Sequence, residues 1–203
     1  MSARDRILER VRRSQVPAPE HARVRPAQGA PADPVAQFTA QAEKVNATLS
    51  RIATLDDLPS ALADQLRQRN LPAAIRTGSD PAFQRDWGTI EHSIGPGRIK
   101  EPATLTRAEF AMAETGSLVF ASGPDNPVTL NFLGETHFAV VQASDVKGGF
   151  EDVFLAWRDR GLKPRTTNFV TGPSRSADIG QTLQLGAHGP VALHIFIVDA
   201  DED

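Results

Sequence analysis

The runs HFAVVQ, residues 137–142, and ALHIFIV, residues 192–198, decide the fold. Both are almost continuously apolar: Phe138, Ala139, Val140 and Val141 in the first, Leu193, Ile195, Phe196, Ile197 and Val198 in the second. A strand with one wet face alternates between apolar and polar residues, whereas a strand buried on both faces has no need to. Around these runs, Ser117–Ala121 and Thr166–Thr171 read as further strands, and Gly149–Arg160 and Ala177–Leu185 as helices. Apolar strands separated by helices predict an α/β domain with a mostly parallel sheet covered on both faces.

Working toward the N-terminus, Thr89–Ser93 and Ala73–Arg76 read as strands, the latter stopped by the turn Gly78-Ser79-Asp80. Arg107–Glu114 reads as a short helix. Leu58, Leu62 and Leu66 form the inner side of a helix over Leu55–Arg69, with Thr54 as its cap. Val35, Phe38, Ala42, Val45, Leu49 and Ile52 fall on one helical face and predict a helix over Val35–Ala53. Residues 14–34 carry five prolines and almost no large apolar side chain, so they form a linker or arm without a core. Ahead of it, Ala3–Arg13 predicts a helix with Ser2 as N-cap, Asp5 three residues on, and a narrow stripe of Ile7, Leu8 and Val11. The organisation expected is an N-terminal helix and Pro-rich arm over residues 1–34 and an α/β domain over 35–203.

The 203 residues include no cysteine. Disulfides, cysteine-ligated zinc, thiolate catalysis and an iron–sulfur cluster held by the chain's own thiolates are therefore excluded. A net charge of −3 gives no reason to expect binding to nucleic acid or to anionic membranes. No stretch approaches the roughly 20 apolar residues that span a bilayer, and the basic start has no apolar segment of a secretory signal, so a cytoplasmic protein is expected. Charge is uneven: seven arginines against three acids in residues 1–25, and an acidic end at Asp199, Asp201, Glu202 and Asp203. The basic helix suits either solvent or the acidic body of a second copy, so a homo-oligomer is one expectation. The five histidines, at 21, 92, 137, 188 and 194, show no i, i+4 ligand spacing, and no metal site is expected.

Ligands in open α/β sheets bind beyond the carboxyl ends of strands. Two turns stand out on that criterion. In Thr171-Gly172-Pro173-Ser174-Arg175-Ser176-Ala177-Asp178, two serine hydroxyls and a guanidinium gather near the start of the expected helix, a setting that favours an anion. Asp178 offers the competing reading, in which it caps those backbone donors itself. The other turn is Ala113-Glu114-Thr115-Gly116. Glu114, at an expected helix–strand junction, is either a nucleophile or base, or a brace on backbone amides. His188, in the turn before the last strand, is expected at the opposite end of the sheet from Thr171–Ser176, as a structural or subunit-contact residue.

The block TGPSRSADIGQTLQLGAHGP, Thr171–Pro190, resembles the signature of the lactate utilisation protein C family, a branch of the LUD-domain proteins. Two shorter blocks strengthen the resemblance: AETGSLVF, Ala113–Phe120, is similar to the family's A-E-T-G-T, and NFLGETHFAVV, residues 131–141, to its L-P-x-x-H-I. The departures are Ser176 for the usual Thr, Gly180 for an acidic residue, Gly134 for Pro, and no basic residue upstream of the third block. The resemblance implies a three-layer α/β/α domain related to the ribose-5-phosphate isomerase and CoA-transferase superfamily. It also implies a role, with two partner proteins, in oxidising L-lactate to pyruvate.

In that scheme the partners carry the cysteine-rich and iron–sulfur chemistry, this chain holds no cofactor, and no independent catalysis is expected of it. The motif positions Thr115, Gly116, Thr171, Gly172, Ser174, Arg175 and Ser176 become candidates for holding a small anion. The alternative is a free-standing CoA-transferase or sugar-phosphate isomerase-like enzyme using Glu114, since A-E-T-G is faintly similar to the S-E-N-G block of CoA-transferases.

Overall fold

A computed structural model describes residues 2–14, 31–175 and 188–199. Helix α1 (Ala3–Arg13) closes with the expected cap: the Ser2 hydroxyl accepts from Asp5 N at 3.1 Å, and Ser2 N donates to the Asp5 carboxylate at 2.9 Å. It buries no residue. Helix α2 (Pro34–Lys44) opens on an Asp33 cap and ends earlier than its apolar pattern predicts. Asn46, at φ 66°, turns the chain into strand β1 (Thr48–Ile52). Leu49 and Ile52 continue the helical spacing of Val45, but the left-handed Asn46 ends the helix before they are reached. A short 3-10 turn at Leu55–Asp57 leads into α3 (Leu58–Gln68), which buries the three predicted leucines.

The chain then forms β2 (Ala74–Thr77), β3 (Glu91–Ile94) and β4 (Glu101–Arg107). Next come β5 (Phe110–Met112), β6 (Ser117–Ala121), α4 (Val128–Phe132) and β7 (Gly134–Gln142). The described chain ends with β8 (Val146–Lys147), α5 (Phe150–Asp159), β9 (Thr167–Val170) and β10 (Ala192–Val198). The segment expected as a helix at Ala177–Leu185 lies outside the described residues.

Six strands form a wholly parallel sheet in the order β1-β10-β7-β4-β2-β3. The α/β fold with a mostly parallel sheet is thus the one observed. The two apolar runs sit side by side near its middle, with His194 opposite Phe138 and Val198 opposite Gln142. One face carries Leu105, Phe138, Val140 and Phe196 against α3 and Trp87. The other carries Ala139, Val141, Ile195 and Ile197 against Phe38 and Ala42 of α2 and against a second sheet of order β8-β5-β6-β9. Helix α5 packs on the far side of that second sheet, where Val153 meets Phe110, Met112 and Val119.

The second sheet replaces the helix predicted over Arg107–Glu114. Ala111 and Ala113 face the large sheet while Phe110 and Met112 face α5, a period of two. Because both sides are buried, the segment has no polar face, and nothing in its hydropathy distinguishes strand from helix.

Candidate functional site

The two turns singled out in the sequence meet in one corner. Ala113–Gly116 joins β5 to β6 as a hairpin, so Glu114 stands in a hairpin turn and not at a helix–strand junction. The Thr115 and Ser117 hydroxyls are 2.7 Å apart, and Ser117 Oγ is 2.6 Å from Thr171 Oγ1, just past the end of β9. Three hydroxyls in line share two internal hydrogen bonds, which leaves one of their three protons to donate elsewhere. Ser117 is buried in the middle, and Thr171 is the exposed end.

Two glycines make the corner possible. Gly116 has φ 69° and Gly172 φ 76°. A Cβ on Gly116 would lie 2.4 Å from Ala42 N, and one on Gly172 2.3 Å from Val45 O, so both turns press on the backbone at the end of α2. Ser174 N donates to Pro190 O at 2.8 Å. This contact overturns the expected placement of His188. Strand β9 belongs to the second sheet and runs antiparallel to β6. Its end therefore lies beside the start of β10, at the amino end of the large sheet, and the 171–175 and 188–190 turns are neighbours.

Arg175 and His188 are exposed there. Ser176 and Asp178 lie outside the described residues, so the competition between anion and Asp178 cap rests on the sequence. Glu114 is exposed; its carboxylate lies against Gly149, where a Cβ would come within 2.9 Å of Oε2, and its own N–H donates to Gly148 O at 3.0 Å.

A second polar cluster, which sequence reasoning missed, occupies the carboxyl end. Arg107, at the end of β4, donates to Asp80 through Nε at 2.9 Å and Nη2 at 3.2 Å. Asn126 Nδ2 donates to Arg107 O at 3.3 Å, while Asn126 Oδ1 is buried with no hydrogen-bond partner among the described residues. At the end of β7, both polar atoms of the Gln142 amide are likewise buried without a partner among the described residues. Nearby, Arg160 donates to Asp145 and, at 3.0 Å, to Glu109 O. Burial raises the Glu109 carboxyl above its ordinary range, against the pull of Arg107 and Arg160. The single legible signal was the Gly78-Ser79-Asp80 turn, read only as a strand stop.

Two histidines, His137 and His194, are buried in the large sheet. His137 Nε2 lies 2.7 Å from Thr106 Oγ1, which in turn donates to Asn131 Oδ1 at 3.0 Å. Burial pushes His137 down to about 3. His194, held by Thr48 at 2.8 Å, is pushed down to about 3 by burial and by the neighbouring Arg69 cation. Both are neutral near pH 7 and are poor proton acceptors there. Among the described residues no group of three His, Cys, Asp or Glu side chains is arranged to hold a metal ion, and no helix is long and apolar enough to cross a membrane.

The family model of the LUD domain matches residues 102–198, which include the hairpin, Thr171–Arg175 and β10. Over 172 residues, 79% of this chain and 71% of the relative, the sequence is 34% identical to the Lactate utilization protein C of Geobacillus kaustophilus. The chain belongs to the lactate utilisation protein C family. A second member, the Lactate utilization protein C of Anoxybacillus flavithermus, is 35% identical over 96 residues, and there the match spans 47% of this chain and 43% of the relative, less than half of its length. The crystal structure of a DUF162 family protein from Deinococcus radiodurans shares the fold, with a TM-score of 0.65 at 21% identity over 82% of this chain and 97% of that one. For this family member, the block Ala113–Phe120 and the start of the block Thr171–Pro190 are thus the two halves of one corner, joined through Ser117.

Proposed function

We propose that this chain serves lactate utilisation in the cytoplasm as a non-redox subunit, gripping a small carboxylic acid for electron chemistry carried out by two partners. Oxidising lactate to pyruvate removes two electrons and two protons, so an acceptor is required. A sequence without cysteine has no dithiol couple and no thiolates to hold an iron–sulfur cluster. The acceptor therefore comes from a partner or a bound cofactor, and the family resemblance assigns it to two partners, a cysteine-rich protein and an iron–sulfur protein.

The observation that carries the reading is the hydroxyl line Thr115–Ser117–Thr171, ending at an exposed threonine close in sequence to the exposed Arg175. An anion at that corner sets the direction of the line, so that Thr171 donates outward while Arg175 supplies the opposite charge. Ser174 and Ser176 flank the same turn.

Reconstitution tests the proposal. With both partners present, lactate-dependent dye reduction requires this chain, and Arg175→Ala lowers the rate at limiting lactate. Full turnover by the partners alone, or turnover by this chain with nothing added, refutes it.

A further inference from the structure

We infer that this chain pairs with a second copy of itself by exchanging helix α1, whose apolar stripe docks on an aromatic patch that α5 and β9 leave open. Both halves of the contact lie on the same chain, and neither is covered there. Phe150 and Phe154, one turn apart on α5, and Phe169 of β9 form a triangle, with ring centroids 5.3, 6.3 and 6.3 Å apart. Val153 already gives the core its contact with α5, so the three rings are left to solvent. Helix α1 is capped at its start yet buries no residue. Its Ile7, Leu8 and Val11 share one face. All six side chains are between 38% and 63% exposed. Single exposed apolar residues are ordinary, but two clusters of three, one aliphatic and one aromatic, mark surfaces of association.

Charge selects the occupant and its direction. Arg4, Arg10 and Arg12 border the stripe of α1, whereas Glu9 pairs with Arg13 on the opposite face. Three exposed acids border the Phe150 end of the patch: Glu151 and Asp152 in the first turn of α5, and Glu114, whose carboxylate lies against Gly149. The basic last turn of α1 belongs beside these acids, which lays the two helices antiparallel and brings Asp5 toward Arg158 of α5. One helix laid on three rings is a small contact beside the about 1,200–2,000 Å² of a stable interface. Reciprocal exchange between two copies makes it twice about a two-fold axis, the commonest closed arrangement of homo-oligomers. The expected species is a weak, reversible dimer.

The test is sedimentation of the full chain over a range of concentrations, joined to disulfide trapping, which the absence of native cysteine makes clean. The chain dimerises reversibly, and Ile7→Asp with Val11→Asp weakens the dimer at least about tenfold. Because α1 buries nothing, that effect does not pass through the fold of the α/β domain. Phe154→Asp weakens the dimer from the other side. Arg10→Glu with Arg12→Glu also weakens it, and adding Glu151→Arg with Asp152→Arg restores it; failure of that restoration overturns the antiparallel lie. For trapping, Val11→Cys and Phe154→Cys are placed on separate chains, mixed and oxidised. They join in higher yield than Val11→Cys with Asp64→Cys, a control on the exposed side of α3. A monomer at every concentration, or a dimer indifferent to the α1 and Phe154 substitutions, overturns the exchange. So does a disulfide that closes within one chain carrying both cysteines when separate chains do not join, since α1 then covers its own patch.

Discussion

The two ends of the large sheet solve the burial of polar groups differently. At the motif corner by the amino end, backbone geometry does the work: two glycines in left-handed conformation let hairpin and turn press on α2, and the hydroxyls of Thr115, Ser117 and Thr171 satisfy one another. At the carboxyl end, Asp80, Arg107 and Asn126 from three separate segments converge, and the amides of Asn126 and, at the end of β7, Gln142 are incompletely paired among the described residues. A corner built from backbone tolerates almost no substitution at its glycines.

The largest effect is expected where that contrast is sharpest. Gly172→Ala adds a Cβ 2.3 Å from Val45 O at a positive φ, and unfolding in urea should show a loss of about 4 kcal/mol from strain and overpacking together. A loss below about 1 kcal/mol would mean that the corner yields easily, and the contrast fails.

Acid comes next. The folded chain keeps His137 and His194 neutral down to about pH 3, whereas the unfolded chain protonates them below the ordinary value of 6.5. Their contribution to stability is complete above that ordinary value and is lost as the pH falls toward about 3. At pH 5, relative to pH 8, each histidine should cost about 2 kcal/mol. His194→Leu should remove about 1.4 kcal/mol per pH unit from the slope measured below pH 6.

Smaller still, Ser117→Ala breaks the middle of the hydroxyl line and should cost about 1.5 kcal/mol, with a coupling of about 0.5–1 kcal/mol to Thr171→Ala in a double-mutant cycle. Gln142→Leu should do the opposite, leaving stability unchanged or raised by up to about 1 kcal/mol, because it removes an unpaired buried amide. Equal and same-signed losses for Ser117→Ala and Gln142→Leu would erase the distinction between the ends. Least affected should be Glu114→Gln and Arg175→Ala, both at exposed positions, with shifts within about 0.5 kcal/mol. Any loss of lactate-dependent turnover in Arg175→Ala is then a matter of recognition and not of folding.

The motif corner was half legible. Its residue types and the glycines of both turns stand out in the sequence, but the expected setting at the carboxyl end of the sheet was wrong, because nothing local reports that β9 pairs with β6 in a second sheet. Glu114 was expected at a desolvated junction and is exposed in a hairpin. The carboxyl-end cluster left only the Gly78-Ser79-Asp80 turn as a trace, because Asp80 and Arg107 are 27 residues apart and neither belongs to a recognisable motif.

What the sequence determined by itself was every feature carried by short-range pattern. The capped helix α1, the leucine face of α3, the apolar strands β7 and β10 and the absence of thiol chemistry all follow from neighbours a few residues apart or from composition. Only the tertiary structure decided that Phe110–Met112 is a strand, that Ser117 meets Thr171 across 54 residues, and that Gly172 rests on Val45. The physical reason is the same in each case. Helix periodicity and capping act within one or two turns, whereas strand pairing and close backbone approach depend on segments distant in sequence, and a segment buried on both sides has no amphipathic face to announce its partner.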